Sequence, residues 1–331
     1  MRRVSGLLIV AVFACGLLVA ACAPAVVPPG SSTTTTSSIP PTTSTTTVPL
    51  PGAVTATITV DGGAGGVASD GTSIWVTNWF FGTVSKIDPV TNTVIAAIAV
   101  GIYPNALASD GTNIWVTNMN SGTVSKIDPV TNTVTATITV GDQPGDVASD
   151  GTNIWVTNMN SGTVSKIDPV TNTVIATVLV PGRPVGLASD GTNIWVTNFF
   201  FGTVSKIDPV TNTVTATVSV GGTVWGVASD GTNIWVTNTA TYGLGNVLRI
   251  DPATNTVTAA IAVGDGTYAL ASDGTNIWVV DYKSGILSRI DPVTKTVTTT
   301  INVGGSLRDV ASDGTNIWVT ESYGTVSRIR P

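Results

Sequence analysis

The sequence has no histidine and only two cysteines among its 331 residues. Histidine is the commonest general base and a frequent metal ligand, so its absence removes much of acid–base and metal chemistry. Both cysteines, Cys15 and Cys22, lie near the N-terminus, so the rest of the chain has no thiol for a disulfide or a Cys–metal site. We therefore expect no catalytic residue, no metal site and no cofactor.

Charge is also scarce, because only 10% of the residues are charged and their formal sum is −6. A nucleic-acid partner needs clustered Lys and Arg to neutralise phosphates. We therefore expect no nucleic-acid binding.

Residues 1–21 read as an export signal. Arg2 and Arg3 precede an apolar stretch that ends in small residues. The sequence LVAAC, ending at Cys22, resembles the lipobox of bacterial lipoproteins. The resemblance implies cleavage before Cys22, lipidation of its thiol, and anchoring of the exported chain to the bacterial cell membrane, facing the cell surface or periplasm. An ordinary secretory signal and a retained transmembrane anchor are the alternatives.

Residues 22–52 are dominated by Ser, Thr and Pro and contain little that could form a core. Such composition is typical of extended, disordered linkers that can carry O-glycans. We expect a stalk that holds a folded domain away from the membrane.

From residue 53 onward the sequence is periodic at about 40 residues. Each period contains four short runs rich in β-branched residues, separated by turn residues and without helical periodicity. The pattern predicts an all-β, seven-bladed β-propeller over residues 53–331, with four antiparallel strands per blade. The tripeptide Ser-Asp-Gly marks the seven units, beginning at Ser69, Ser109, Ser149, Ser189, Ser229, Ser272 and Ser312. One tryptophan recurs in every unit and is expected to pack between blades.

The two ends of the repeat region are complementary. Residues 53–60 form a fourth strand without the preceding three, and residues 324–329 form a third strand without a fourth. We expect the N-terminal strand to complete the last blade and close the ring, which removes two exposed sheet edges.

The repeated segments IWVTN and GTVSKIDPVTNTV resemble the YVTN-type β-propeller repeat family, with Trp where that family often has Tyr. The resemblance spans essentially all of residues 53–331. It implies a surface or extracytoplasmic propeller and assigns no activity. The segment WVTESYGTVSRI in the last unit is also similar to repeats of streptogramin (virginiamycin B) lyases, which depend on a catalytic histidine that this chain lacks.

Up-and-down topology places the nearly invariant SDGTN and DPVTN turns on one face of the disc and the variable loops on the other. Aromatic residues at loop tips are unusual for solvated turns, and exposed apolar patches with Arg mark interaction sites. We expect this variable face to bind a partner; the alternative is that the rings cover the core. The candidate residues are Trp79, Phe80, Phe81, Phe199, Phe200, Phe201, Tyr103, Arg183, Trp225, Tyr242, Tyr268 and Arg308.

Acidic residues break the repeat in the last two units, where Asp281 and Glu321 replace the Asn of WVTN. Asp309 precedes the first strand of the seventh unit, and Asp146 holds the equivalent position in the third. Asp281, Asp309 and Glu321 could form an acidic patch near the channel mouth, although scattered solvated carboxylates are the simpler interpretation.

Together these features predict a monomeric, non-enzymatic binding scaffold for an envelope or extracellular protein or glycan. A streptogramin lyase-like or other propeller enzyme is disfavoured because histidine is absent. A DNA-binding propeller is disfavoured because the chain is acidic and exported.

Overall fold

The computed structural model describes residues 51–239 and 245–331, and in them the chain forms seven four-stranded antiparallel sheets. The expected signal peptide, Cys22 and most of the stalk lie outside the described residues. No helix in the described ranges is long and apolar enough to span a membrane.

The 28 strands are grouped here by blade. In chain order they are β1 (Val54–Thr59); blade 1, β2 (Ala64–Ser69), β3 (Ile74–Asn78), β4 (Thr83–Asp88), β5 (Thr93–Ala99); blade 2, β6 (Pro104–Ser109), β7 (Ile114–Asn118), β8 (Thr123–Asp128), β9 (Thr133–Thr139); blade 3, β10 (Pro144–Ser149), β11 (Ile154–Asn158), β12 (Thr163–Asp168), β13 (Thr173–Leu179); blade 4, β14 (Pro184–Ser189), β15 (Ile194–Asn198), β16 (Thr203–Asp208), β17 (Thr213–Ser219); blade 5, β18 (Thr223–Ser229), β19 (Ile234–Thr239), β20 (Gly245–Asp251), β21 (Thr256–Gly264); blade 6, β22 (Thr267–Ser272), β23 (Ile277–Asp281), β24 (Ile286–Asp291), β25 (Thr296–Asn302); and blade 7, β26 (Leu307–Ser312), β27 (Ile317–Glu321), β28 (Thr325–Ile329).

The blades form a closed ring, which confirms the predicted propeller. The first strand of each blade contacts the first strands of its two neighbours, and β26 contacts β2 in the same way. β1 pairs antiparallel with β28, with Ile58 opposite Val326, and so becomes the outer strand of blade 7. The strand order in that sheet is β1-β28-β27-β26, as the complementary chain ends predict.

Strand position within a blade explains the residue pattern. The second strands, which lie between neighbouring blades, are buried along almost their whole length and carry apolar side chains on both faces. The outer fourth strands alternate between exposed and less exposed residues, as their period-two pattern requires.

The recurring tryptophan joins the blades. Trp155 is fully buried and packs against Leu187 and Ile194 of the next blade. Its Nε1 donates a 2.7 Å hydrogen bond to Asp150 of the Ser-Asp-Gly turn, whose other carboxylate oxygen accepts two backbone N–H groups of the same turn. The same Trp–Asp bond occurs at Trp75, Trp115, Trp195, Trp235, Trp278 and Trp318.

The repeated lysine of the third strand also links blades on the invariant face. Lys86 Nζ lies 5.1 Å from the centre of the Trp75 ring and donates to the carbonyl of Pro129 in the next blade. Arg328 of blade 7 makes the corresponding bond to Pro89 of blade 1, across the point of closure. The repeated Asp, Trp and Lys residues are therefore explained by contacts that hold the turns and the blades together.

Candidate functional site

A cavity of about 400 Å³ opens at the centre of the variable face. Its wall is formed by the beginnings of the first strands and by the loops beside them. We call this space the channel-mouth cavity. Among the side chains that line it are Trp79, Tyr103, Asp146, Arg183, Trp225, Tyr268, Arg308 and Asp309.

A local irregularity in each first strand turns these residues toward the axis. The pairing register shifts between Pro144 and Val147 in blade 3 and between Leu307 and Asp309 in blade 7. Such bulges redirect side chains, so residues inside the shifted segment line the cavity instead of alternating along a regular strand.

The threonine of WVTN holds the rim in place. Thr197 Oγ1 donates to the carbonyl of Trp225 at 2.6 Å, and Thr237 Oγ1 donates to the carbonyl of Tyr268 at 2.7 Å. Each bond runs from a second strand to the first strand of the next blade. A repeated structural residue thus positions the variable aromatic residues.

Aromatic rings surround a large part of the mouth, and we call this chain of rings the aromatic rim. Phe199 and Trp225 have ring centres 4.6 Å apart, and Trp225 and Tyr268 are 5.0 Å apart. On blades 1 and 2, Trp79 and Tyr103 are 5.4 Å apart. These separations and tilted geometries are those of favourable aromatic pairs.

Two arginines complete the rim. The Arg308 guanidinium lies 4.2 Å from the centre of the Trp79 ring, and its Nε donates to Ser322 Oγ at 2.8 Å. Burial raises the pKa of the Tyr268 phenol, and Arg308, which hydrogen-bonds to it, opposes that rise. Arg183 lies 5.3 Å from the centre of the Phe199 ring. Each guanidinium is therefore stacked on an aromatic face beside the cavity.

Arg183 and Tyr103 occupy an unusual backbone region for residues with a side chain. Their φ angles are +61° and +58°, and Gln143 has +51° at the same place in the link between blades 2 and 3. Such conformations cost energy outside glycine, and here they belong to the repeated turn, since Gln143 does not line the cavity. The Tyr103 and Arg183 side chains both line the channel-mouth cavity.

Two carboxylates face the cavity from distant blades. Asp309 accepts backbone N–H groups from Val67 and Val310, both at 2.9 Å. Burial raises its pKa to about 7 against these hydrogen bonds, and the charge of Asp146 adds to the rise. Asp146 accepts from Leu187 and Val147, both at 2.8 Å, and burial raises its pKa to about 6.

The two aspartates depart from the repeat at one position. The corresponding residue in the other five blades is Gly or Ala: Gly66, Ala106, Gly186, Gly226 and Ala269. Five of the seven inner strands thus form without a carboxylate there, so the fold itself does not require one. Within residues 51–239 and 245–331, no group of three or more acidic or Cys side chains is arranged to bind a metal ion.

The aromatic loop tips are partly packed and partly exposed. Trp79 and Phe199 are half-buried, whereas Phe80, Phe81, Phe200 and Phe201 are 69%, 67%, 67% and 62% exposed. Phe81 and Phe201 lie against Gly62 and Gly182 of the adjacent links, where an added Cβ would overlap the ring. Trp79 and Phe199 are therefore partly packed and the other four rings are largely exposed, and partner binding by these rings stays a prediction. Tyr242 lies outside the described residues.

Of the three residues of the possible acidic patch, Asp281, Asp309 and Glu321, only Asp309 lines the cavity. Asp281 is buried and accepts backbone N–H groups of Gly266, Lys283 and Ser284. Glu321 accepts from Ser327 at 3.3 Å. Both occupy the position of the repeat Asn. That Asn hydrogen-bonds within its own blade, as Asn118 does to Thr123 and Ser125. Asp309 instead shares the cavity with Asp146.

Sequence reasoning left several cavity residues out of the candidate set. Met119 and Met159 occupy the loop position of Trp79 in blades 2 and 3, and Asn105 occupies the position of Trp225 in blade 2. These three residues share repeat positions with aromatic candidates, and that equivalence could have predicted that they line the cavity. Asp146 and Asp309 share one repeat position, and that identity predicts that both face the axis.

No protein-family model and no curated protein matches the chain, so the YVTN assignment stays a prediction. Among solved structures, Kuenenia stuttgartiensis hydrazine synthase is similar, with a TM-score of 0.74 and 19% identity over 83% of this chain and 97% of that chain. A catalytically inactive histidine-to-alanine variant of Staphylococcus aureus virginiamycin B lyase, solved with quinupristin, has a TM-score of 0.72 and 16% identity over 83% and 98%. A streptogramin B lyase structure has a TM-score of 0.71 and 15% identity over 83% and 97%. At these identities the likeness concerns the fold, and the chain is a seven-bladed β-propeller distantly similar to the lyase propellers.

Proposed function

We propose that the chain is a non-enzymatic binding module of the bacterial envelope, which uses its variable face to hold a partner. The observation that carries this proposal is the aromatic rim around an open cavity of about 400 Å³. Concave sites lined by aromatic side chains and a few charged groups are typical of binding sites. The four exposed Phe rings of blades 1 and 4 extend this surface beyond the cavity.

The chain itself supplies a polar replacement for the aromatic loops. The turn that reads Trp79-Phe80-Phe81-Gly82 in blade 1 reads Met119-Asn120-Ser121-Gly122 in blade 2. Both turns precede the same strand and follow the same IWVTN segment. The blade 2 sequence should therefore close the blade 1 hairpin without disturbing the fold.

Exchanging both aromatic triplets, 79–81 and 199–201, for Met-Asn-Ser should leave the fold intact and weaken partner binding at least about tenfold, because aromatic anchors dominate interface energetics. Binding of labelled propeller to envelope fractions, measured as a saturable isotherm, checks this. The matched control replaces exposed Val130 and Val170 of the invariant face with Ala, the residue that Ala253 provides in blade 5. Equal binding by the exchanged and unexchanged proteins contradicts the proposal.

Envelope anchoring is proposed from the sequence, through Cys22 and the stalk of residues 22–52. Replacing Cys22 with Ser should move the protein from the membrane fraction to the soluble exported fraction, because the thiol at the lipobox position is removed. Fractionation with mass spectrometry of the mature N-terminus measures this, and Cys15→Ser is the control. A membrane-bound Cys22→Ser protein would indicate a different anchor.

An acid–base enzyme is the second candidate, and the cavity carboxyls favour it. Shifted carboxyl pKa values cluster at catalytic sites, and the pKa of Asp309 is raised to about 7. The similar lyases suggest one substrate class to try. Incubation of the purified propeller with a streptogramin B, followed by mass spectrometry, tests for ring opening.

A further inference from the structure

The charged groups of the channel-mouth cavity balance one another. Its wall contains two arginines, Arg183 and Arg308, and two aspartates, Asp146 and Asp309. Above about pH 7, where both carboxyls are ionised, the formal charges of the four groups sum to zero. A ligand of strong net charge would then gain from one pair and be repelled by the other. A ligand without net charge fits this wall best.

The wall offers acceptors at two carboxylates, which lie close enough for the charge of Asp146 to raise the pKa of Asp309. It offers donors at two arginines, each stacked on an aromatic ring of the rim. Guanidinium groups only donate hydrogen bonds and carboxylates only accept them. A hydroxyl does both, so a ligand rich in hydroxyls can be bonded by both kinds of group.

The carboxylates retain capacity for such bonds. Each oxygen of Asp146 accepts one backbone N–H, and the same holds for Asp309. An ionised carboxylate has about four lone-pair sites, which leaves a second site on each oxygen. Both side chains line the cavity, so these sites are directed to a space that a ligand can enter.

The remaining wall suits the apolar face of a ring. Trp79, Tyr103, Trp225 and Tyr268 are half-buried around the mouth. Trp and Tyr have flat apolar bodies with one polar end. The C–H face of a pyranose can lie on such a ring while its equatorial hydroxyls reach Arg and Asp.

We propose that the channel-mouth cavity binds a neutral saccharide unit carried at the end of a glycan. The inference rests on the proposed binding function and names its ligand class. A volume of about 400 Å³ accommodates a small ligand and excludes a folded domain. A glycan end therefore enters the cavity, and the rest of the glycan lies along the exposed Phe loops.

The test titrates the intact propeller with the methyl glycosides of glucose, galactose, mannose and N-acetylglucosamine. Saturation-transfer NMR reports which ring protons contact the protein, and tryptophan fluorescence reports Trp79 and Trp225. We expect at least one glycoside to bind with a millimolar Kd. We also expect Asp309→Ala to weaken it at least about tenfold, because bonds to charged groups are the strong ones.

Matched variants separate binding from folding. Asp309→Ala introduces the residue that Ala106 and Ala269 supply at the same repeat position, and Trp225→Val introduces the residue of Val185. Glu321→Asn removes a carboxylate of the same blade that does not line the cavity, and it should bind as the unmodified chain does. Near-UV circular dichroism of the buried tryptophans verifies that each variant is folded.

Two outcomes would overturn the saccharide assignment. The first is absence of binding by all four glycosides while aromatic-dependent binding to envelope fractions persists, which would leave the proposed function standing. The second is stronger binding of a Lys-containing or Glu-containing tripeptide than of any glycoside, which would indicate a charged peptide ligand. Loss of both glycoside and envelope binding would contradict the proposed function as well.

Discussion

Replacing Trp195 with Ala should destabilise the propeller by about 3–5 kcal/mol, the usual cost of removing a large aromatic ring from a core. The Trp195 side chain is fully buried, and it packs against Val224 and Ile234 of the next blade. The substitution leaves a cavity between two blades. It also removes the 2.7 Å hydrogen bond that the indole N–H of Trp195 donates to Asp190. The midpoint of denaturant-induced unfolding measures the loss.

A second substitution at the same site divides this effect into two parts. Trp195→Phe keeps most of the buried ring and removes the hydrogen bond to Asp190. We expect it to cost about 1–3 kcal/mol, the usual size of one hydrogen bond to a charged group, because Asp190 keeps its bonds from Thr192 and Asn193. Because the Trp–Asp bond recurs in every blade, the same hierarchy is expected at Trp115 and Trp155.

Trp225→Val is the control for ring size. Trp225 is half-buried at the channel-mouth cavity, and blade 4 forms the same strand position with Val185. Its removal should change stability by less than about 1 kcal/mol, as is usual away from packed core positions. Equal destabilisation by Trp225→Val and Trp195→Ala would contradict the assignment of the repeated tryptophans as the joints between blades.

The second large effect is a stability maximum at mildly acidic pH, between about pH 4 and 5, with a decline on both sides. The acidic decline comes from the repeated aspartates. Burial alone would raise the pKa of Asp110, but hydrogen bonds from Trp115 and from the turn backbone outweigh it and lower the pKa. Backbone N–H groups of Val130 and Thr131 lower the pKa of Asp128. Stability from such groups is present above the unfolded-state pKa and is lost as pH falls through the folded-state value.

The alkaline decline has the opposite sign and a different source. Burial raises the pKa of Asp146 to about 6 and that of Asp309 to about 7. The folded protein therefore binds more protons than the unfolded chain between about pH 4 and 7, and its stability falls as pH rises through this window. At 1.36 kcal/mol per pKa unit, the loss is about 3 kcal/mol for Asp146 and about 4 kcal/mol for Asp309.

Thermal unfolding between pH 3 and pH 8 tests this profile. The double variant Asp146→Ala/Asp309→Ala should flatten the alkaline limb and leave the acidic limb unchanged, because the repeated aspartates remain. A profile of the unmodified protein that is flat from pH 5 to pH 8 would show that the two cavity carboxyls are not held in a desolvated setting.

Much of the propeller could be predicted because its signals are local and repeated. The alternation of TVTATITV gives an outer strand, the Asp-Gly pairs give turns, and the spacing of the seven tryptophans gives the blade count. The unmatched strand at residues 53–60 predicted the closure that β1 and β28 make. The segregation of variable loops to one face followed from strand topology alone.

The site was less predictable because it depends on contacts between distant residues. Asp281 and Glu321 have the same formal charge as Asp309, but they occupy the place of the repeat Asn and bond within their own blades. Asp146 and Asp309 are 163 positions apart in the numbering and meet the same cavity because equivalent positions of a ring face its axis. Phe81 and Phe201 lie against Gly62 and Gly182 although most of each ring stays exposed, a placement that the repeat pattern does not predict.

The sequence by itself determined the number of blades, the strand order and the place where the ring closes, since these follow from periodicity and from pairing of neighbouring segments. The tertiary structure decided which of the variable side chains form the aromatic rim and which two carboxyls are partly buried at the cavity wall. The physical reason is ring closure, which brings residues from distant blades to one axis. There, burial and the charge of Asp146 raise the pKa of Asp309.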